Sequence, residues 1–285
     1  MDIGSNGGYN IELEDRQWLR ATQSEPVVLM RGDQPLNVDP RQSPLSSNGF
    51  LQVENQKSIG ACCGVSGSDT GEFAFAHATG EVIQFDWMHA YIGTQIEDGI
   101  NGDRGATLSG FTKYARKGLV PTKSNTYPDS YPGRRYITDE MESVRSKYVL
   151  ASHSECNVSD EVRAYIASNL GIVHIGMPWG SAMQPDSLGC IDSWYTTVRD
   201  GGHAWVICGY CEDSIVRKTS GAGWWHLCKN SWTIKWGLKG YFYVKPKDMD
   251  KILAHKFTSC YGRSDMKTPI VRPSKFDFSK NSVFG

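Results

Sequence analysis

Three short islands in the sequence contain residue types that can perform nucleophilic chemistry together. Gln56 and Cys62 lie in the first island, His203 and Ala204 lie in the second, and Lys229-Asn230-Ser231-Trp232 forms the third. Each of these residues alone most often has a structural role. Their combination in one chain, a cysteine with a histidine, an asparagine and a preceding glutamine, favours a chemical role.

The chemistry explains why these four residue types belong together. A thiol with an ordinary pKa of about 8.5 is mostly protonated at neutral pH, and a nearby imidazolium or helix N-terminus favours the nucleophilic thiolate. An amide carbonyl can hold the imidazole in one tautomer and orientation. A glutamine amide and the backbone N–H of the nucleophile can stabilise the oxyanion of an acyl-transfer intermediate. The islands therefore indicate acyl transfer.

The elements that must position these residues divide along the chain. Helical spacing of apolar residues predicts helices over residues 85–92, 107–115 and 159–166. Short β-prone runs predict strands over residues 172–175, 203–207, 224–228 and 240–244. Helices that come before strands in the chain predict an α+β fold with two segregated lobes.

Composition excludes several classes of protein. The 285 residues allow one large domain or two lobes. Hydrophobic residues make up 39% of the chain, and 30 basic against 31 acidic residues give a net charge of -1. This composition is typical of a globular protein, and no single-sign charge indicates nucleic-acid binding. No apolar window is long enough for a bilayer-spanning helix, so membrane insertion is not expected.

The cysteine content bears on the compartment. Residues 1–20 are polar and acidic and lack the pattern of a secretory signal. Eight cysteines in a chain of this length do not demand a disulfide framework. We therefore expect mostly free thiols in a reducing compartment such as the cytoplasm.

In order and spacing, the islands resemble those of the papain-like cysteine peptidases, in the form found in bacteria and their phages. The matching motifs are Gln56-x5-Cys62, His203-Ala204 with Gly209-Tyr210, and Lys229-Asn230-Ser231-Trp232 with Trp236-Gly237 and Gly240-Tyr241. The resemblance covers about residues 37–262. It implies a papain-like two-lobed fold, in which a helical lobe and an antiparallel β-barrel-like lobe enclose an active-site cleft. It implies no cofactor and no metal, and a location in the bacterial or host-cell cytoplasm with a phage virion as the alternative.

The resemblance also implies a role for each matching position. Cys62 would be the nucleophile, His203 the general acid and base, and Asn230 the residue that orients His203. Gln56 would line the oxyanion hole. The positions expected to contact an extended peptide are Gly105 by backbone pairing, Ala204, and Trp232 as a shield of the His–Asn contact. Ile175, together with Met177, is a further candidate for the lining of an apolar pocket, and a core role is the favoured alternative for it.

The sequence departs from the family pattern around the nucleophile. Cys63 stands where the family usually has tryptophan, and the six-residue step from Gln56 favours Cys62 as the nucleophile. Residues 64–71 contain three glycines, each of which costs a helix about 1 kcal/mol relative to alanine. We therefore expect a helix that is short or that depends on packing. No long helical inhibitory prosegment is expected before residue 37.

The expected domain organisation has three parts. Residues 1–36 are predicted to form an N-terminal extended arm, and residues 263–285 a C-terminal extended tail. The peptidase domain is predicted over residues 37–262, with a helical lobe at about 50–130 and a β lobe at about 131–262. Apolar residues spaced along both arms predict protein partners, although disordered ends would explain them too.

Two other sites are open to consideration. Gly60-Ala61-Cys62-Cys63-Gly64 fits the spacing of a nucleophile elbow, but residues 55–58 are not the buried strand that this motif needs. Cys208, Cys211, His226 and Cys228 offer four possible zinc ligands. Strand alternation places Cys208 and Cys228 on opposite faces, which favours structural cysteines.

The expected function is that of a cysteine endopeptidase acting on peptide or protein substrates through a thiolate acyl-enzyme intermediate. The alternative is a catalytically weak or inactive papain-like protein with a structural or docking role, associated with a phage virion. This alternative rests on the two arms and on analogy with the subgroup.

Overall fold

The fold is known from a computed structural model, which describes residues 8–24, 34–124, 126–180, 183–192, 201–219 and 223–269. Its α-helices are α1 Arg16–Thr22, α2 Cys62–Thr79, α3 Trp87–Asp98, α4 Leu108–Lys117, α5 Asp139–Arg145, α6 Ser159–Ala167, α7 Asp213–Val216 and α8 Pro246–Leu253. Its strands are β1 Val149–Glu155, β2 Ile172–Pro178, β3 Cys190–Ile191, β4 Gly202–Glu212, β5 Trp224–Lys229, β6 Tyr241–Val244 and β7 Ser259–Lys267. None of the described helices is long and apolar enough to cross a membrane.

The strands form one seven-stranded sheet in the order β1-β7-β2-β4-β5-β6-β3. All neighbours pair in antiparallel fashion except β3, which runs parallel to β6. Helices α2, α3 and α4 pack against one another, and α2 also packs against strands β4, β7 and β2. A mostly antiparallel sheet with helices packed against it confirms the predicted α+β class.

The predicted helices have the local signals that define their ends. Asp86 precedes α3, and its side chain accepts a hydrogen bond from the backbone N–H of His89 at 2.8 Å. Thr107 caps α4 in the same way through the N–H of Gly110, and α4 ends before Gly118, whose φ is +121°. These two helices confirm the predictions over residues 85–92 and 107–115.

Helix α2 is longer than its glycines led us to expect. It runs for 18 residues from Cys62 to Thr79 and is buried along nearly its whole length. A Cβ atom at Gly67 would lie 2.2 Å from Cε2 of Phe111, and one at Gly64 would lie 2.7 Å from the backbone of Trp87 and Tyr91. Glycine is therefore needed because α3 and α4 approach α2 too closely for a side chain.

The predicted arms are wrong within the residues that the structure describes. Part of the N-terminal arm folds as α1, and Tyr9 and Leu19 are buried. The predicted C-terminal tail begins too early, since β7 continues to Lys267, which pairs with Val149 of β1. The remaining residues of the two predicted arms, 1–7, 25–33 and 270–285, lie outside the described part of the chain.

A substitution in α2 tests whether packing overrides helix propensity. Gly67→Ala should lower the free energy of unfolding by about 1 to 3 kcal/mol, because the new methyl group overlaps the Phe111 ring. Chemical denaturation measures the change. The loss should be smaller in a Phe111→Leu background, where the ring is absent. A stabilising effect of Gly67→Ala, as helix propensity alone predicts, would contradict this account.

Candidate active site

Cys62 is the first residue of α2, and its side chain is fully buried. Its position matters electrostatically, because unpaired backbone N–H groups at a helix N-terminus favour a negative charge. The backbone N–H of Ala204 on β4 donates a hydrogen bond to Sγ of Cys62 at 3.3 Å. The sulfur of one lobe is thus held directly against a strand of the other lobe.

His203 and Asn230 form the second half of the site. Nε2 of His203, near the start of β4, lies 2.8 Å from Oδ1 of Asn230, which directly follows β5. Oδ1 also accepts a hydrogen bond from the N–H of Ser231 at 2.7 Å, which fixes the orientation of the amide. Because a carbonyl oxygen only accepts, Nε2 carries a proton, and Nδ1 is left for proton exchange.

Tryptophans enclose the imidazole of His203. The ring of Trp232 stacks on it with a centroid distance of 4.3 Å and an interplanar angle of 24°. Trp179 meets it edge-on at 5.2 Å, and Trp205 stacks at 5.9 Å. This arrangement agrees with the predicted shielding by Trp232. Trp179 was missed because it lies in no recognisable motif.

The surroundings of Cys62 favour its thiolate. Burial alone would raise the pKa of Cys62, but hydrogen bonds from Cys63 and His203 and the charge of His203 lower it to about 5. Burial raises the pKa of Cys63 well above its usual value. The single S–H of Cys63 has two acceptors within reach, Sγ of Cys62 and the carbonyl of Ala106 at 3.1 Å. Of the two adjacent cysteines, Cys62 is therefore the nucleophile that the geometry supports.

Gln56 lies beside the site and ties two of its loops together. Its Nε2 donates to the carbonyl of Ile59 at 2.9 Å, and its Oε1 accepts a hydrogen bond from the hydroxyl of Ser231. An amide nitrogen has two hydrogens, so one remains for an oxyanion. The predicted role of Gln56 in an oxyanion hole stays a prediction.

Two of the predicted substrate contacts fall one residue away from the positions that the structure favours. The N–H of Gly105 donates to the hydroxyl of Tyr91 at 3.1 Å and is therefore not free for a peptide, and its carbonyl accepts from Gln95 at 3.0 Å. The adjacent Ala106 performs the backbone pairing instead, as described below. Ile175 points into the core with Met177, and Gly176 is the β2 residue that faces the site. The core position of Ile175 agrees with the alternative favoured for it from the sequence, and the difference at Gly105 is a shift of one residue along the backbone.

The structure also reveals an occupant that the sequence did not predict. Residues 8–10, which we call the plug, lie as an extended strand between Ala106 and Gly202. The plug makes backbone hydrogen bonds from Tyr9 N to Gly202 O at 3.1 Å, from Asn10 N to Ala106 O at 2.8 Å, and from Ala106 N to Gly8 O at 3.0 Å. The only signal in the sequence is an aromatic residue after paired glycines, which is too weak to predict docking.

The plug lies directly over the nucleophile. A Cβ atom at Gly8 would be 2.6 Å from Sγ of Cys62, so glycine permits this approach. The ring of Tyr9 is buried against Gly176 and Leu108 and belongs to the same apolar cluster as Cys62 and Ala204. The predicted contact residue Ala204 lies in the site, where its N–H contacts the sulfur of Cys62.

The comparisons with known proteins agree with this site. The model of the papain family cysteine proteases matches residues 34–260. The chain belongs to the papain family of cysteine proteases. A senescence-specific cysteine protease of Arabidopsis thaliana, SAG12, is 27% identical over 221 residues, which are 77% of this chain and 59% of that protein. The chain spans about three fifths of the length of the curated relatives it matches.

Solved structures extend the family likeness to the fold. The cysteine protease xylellain from Xylella fastidiosa has a TM-score of 0.68 and 20% identity, with 91% of this chain and 96% of that chain covered. The ragweed pollen protease Amb a 11, solved in its proform, has a TM-score of 0.65 and 17% identity, with 91% and 75% covered. These papain-family neighbours share the two-lobed architecture.

A zinc site gains no support from the structure. Among the described residues, no three histidine, cysteine or acidic side chains lie close enough together to hold a metal ion. Cys208 and Cys228 pack into different apolar clusters, as expected for residues on opposite faces of the sheet. All eight cysteines are buried and free.

The ionisation of Cys62 can be tested by the ultraviolet absorbance of the thiolate, with Cys62→Ala as the baseline. The wild-type midpoint should lie near pH 5, with the thiolate present above it. His203→Ala should move the midpoint up towards or beyond an ordinary value of about 8.5, because the hydrogen bond and the charge are lost. Cys156→Ser, at a buried thiol outside the site, is the control. An unchanged midpoint in His203→Ala would contradict the assignment.

Proposed function

We propose that this papain-family protein is a cysteine endopeptidase that hydrolyses peptide bonds through a covalent acyl-enzyme. The proposal rests on one observation. Cys62, whose pKa is lowered, is hydrogen-bonded to His203, which is itself hydrogen-bonded to Asn230. A buried thiolate next to an oriented imidazole has the geometry for nucleophilic attack and for proton transfer.

The proposed reaction has two halves. Sγ of Cys62 attacks the carbonyl carbon, and the π electrons move to the oxygen, where Gln56 and the N–H groups at the start of α2 supply donors. The C–N bond then breaks as His203 donates a proton to the leaving amine. In the second half His203 takes a proton from water, whose oxygen attacks the thioester and releases the acid and the Cys62 thiolate.

The plug implies that the described conformation is a closed form of this enzyme. Residues 8–10 use the backbone groups of Ala106 and Gly202 that an extended substrate would need, and Cys62 is 0% exposed. A peptide cannot reach the sulfur while the plug is in place. Activity therefore requires the plug to move or to be removed.

The same observation supports a second candidate function. If the plug never leaves, the protein is an inactive papain-like module with a docking role, and its arms would contact the partner.

Two finer assignments are also part of this proposal. The first is kinship with the bacterial and phage branch, which the likeness to xylellain supports. The second is a cytoplasmic location, which the eight free cysteines support.

Removal of the nucleophile tests the peptidase proposal. Cys62→Ala should abolish hydrolysis of a fluorogenic peptide, because no other described thiol has a lowered pKa. Cys63→Ser, which keeps a hydrogen-bond donor beside Cys62, should retain hydrolysis. Cleavage that persists in Cys62→Ala, after contaminating proteases are excluded, would rule out the mechanism.

Loosening the plug distinguishes a closed enzyme from an inactive module. Tyr9→Ala should raise kcat/KM, and the rate at which an epoxide inhibitor labels Cys62, by about tenfold or more, because a buried aromatic anchor is lost. Leu13→Ala, at an exposed side chain, should leave both rates unchanged. If Cys62 becomes readily labelled in Tyr9→Ala but no peptide is cleaved, the docking function is favoured.

A further inference from the structure

The N-terminal segment has two parts with different surroundings. The plug at residues 8–10 lies in the cleft, and a second part at residues 14–24, which we call the anchor, lies outside it and includes α1. Residues 11–13 form a turn between them, and the side chain of Leu13 is 52% exposed. A hydrogen bond of 3.5 Å from Arg16 to the hydroxyl of Tyr9 joins the two parts, and this contact must break if the plug leaves through a change in the turn.

Glu14 connects the anchor to the wall of the cleft. Its carboxylate is buried and accepts hydrogen bonds from the backbone N–H groups of Leu108 and Ser109, both at 2.8 Å. The N–H of Asp15 adds a bond to the hydroxyl of Ser109 at 3.2 Å. These are unpaired amides of the first turn of α4, and α4 directly follows Ala106, which pairs with an extended chain in the cleft.

A buried positive charge, that of Arg263, also contacts the first turn of α4. Arg263 on β7 is almost fully buried and donates to the carbonyl of Leu108 at 3.2 Å and to the hydroxyl of Thr112 at 2.7 Å. Within the described ranges Arg263 has no carboxylate in a salt bridge. Burial lowers the pKa of Arg263 to about 10, and among the charges that oppose this effect Glu14 acts most strongly. Glu14 and Arg263 therefore both bind the first turn of α4, Glu14 at its amides and Arg263 at the carbonyl of Leu108.

The rest of the anchor is bound to the body of the protein. Leu19 is completely buried, and its carbonyl lies 3.0 Å from Nε2 of His153 on β1. The carbonyl of Thr22 accepts from Arg116 of α4 at 2.7 Å, and the N–H of Ser24 donates to the carbonyl of His153 at 2.7 Å. The anchor therefore bridges α4 and β1 as a core segment would.

We infer that Glu14 is a positioning residue of the active enzyme, and that the anchor stays in place when the plug leaves. Glu14 holds the first turn of α4, and with it the Ala106 wall that pairs with a substrate backbone. Loss of the anchor would leave the amides of Leu108 and Ser109 buried without their acceptor, which is costly. The catalytic role of this inference rests on the proposed peptidase function, whereas retention of the anchor does not.

The first test uses full-length variants in the Tyr9→Ala background, in which the cleft is open. Adding Glu14→Ala should raise KM for a fluorogenic peptide about tenfold, with kcat within about twofold, because loss of a helix cap loosens the binding wall but not the Cys–His pair. Glu14→Gln retains an acceptor and should restore most of the KM. Glu12→Ala, at an exposed neighbouring carboxylate, should change neither parameter. An unchanged KM in Glu14→Ala would overturn the positioning role.

The second test needs no peptidase activity, so it separates failure of this inference from failure of the proposed function. Limited proteolysis of the Cys62→Ala protein, followed by mass spectrometry, should cut within residues 11–13 and leave residues 14–24 attached to the core. Glu14→Ala should lower the melting temperature and expose residues 14–24 to cleavage, whereas Glu12→Ala should do neither. A stable core that begins after residue 24 with an unchanged melting temperature would overturn retention of the anchor.

Discussion

The structure depends on keeping a negative sulfur atom in a place from which water is excluded. A buried thiolate is unfavourable unless hydrogen bonds and opposite charge replace its hydration. Cys62 receives them from both halves of the molecule, since the N-terminus of α2 belongs to one lobe, and His203 and Ala204 belong to the other. The N-terminus of α2 and the start of β4 must therefore keep a fixed position relative to each other.

A buried ion pair helps to fix the position of α2 relative to the sheet. Nζ of Lys229 on β5 lies 2.6 Å from Oδ1 of Asp69 on α2, and both side chains are almost inaccessible. Lys229 directly precedes Asn230, and Asp69 lies two helical turns from Cys62 in the same helix. Burial and the charge of Asp69 together raise the pKa of Glu72 well above its usual value. Glu72 accepts a hydrogen bond from the N–H of Phe85 at 3.2 Å, and Asp69 is the direct partner of Lys229. Breaking such a pair is costly because it leaves an isolated charge.

The chemistry of the site could be predicted from the sequence because it depends on residue types in a fixed order, and Cys62, His203 and Asn230 indeed meet. Which residues of a segment face the cleft could not be predicted. Gly105 and Ile175 were each chosen one residue away from Ala106 and Gly176, since a shift of one residue reverses which groups face the cleft. The N-terminal arm looked extended because its polar residues have no local pattern. Its burial depends on contacts with residues about 100 to 250 positions away, such as Leu108 and Thr258.

Backbone pairing explains how the same wall can serve the plug and a substrate. The N–H and C=O of Ala106 contact the main chain of the plug, so they carry little information about side chains. What distinguishes the plug from other extended peptides is its tether. A short linker gives a tethered segment an effective concentration on the order of millimolar, far above that of a peptide in dilute solution. The anchor sets the point from which the plug reaches the cleft. Contacts far from Cys62, such as those of Glu14 and Leu19, thereby determine how often its sulfur is accessible.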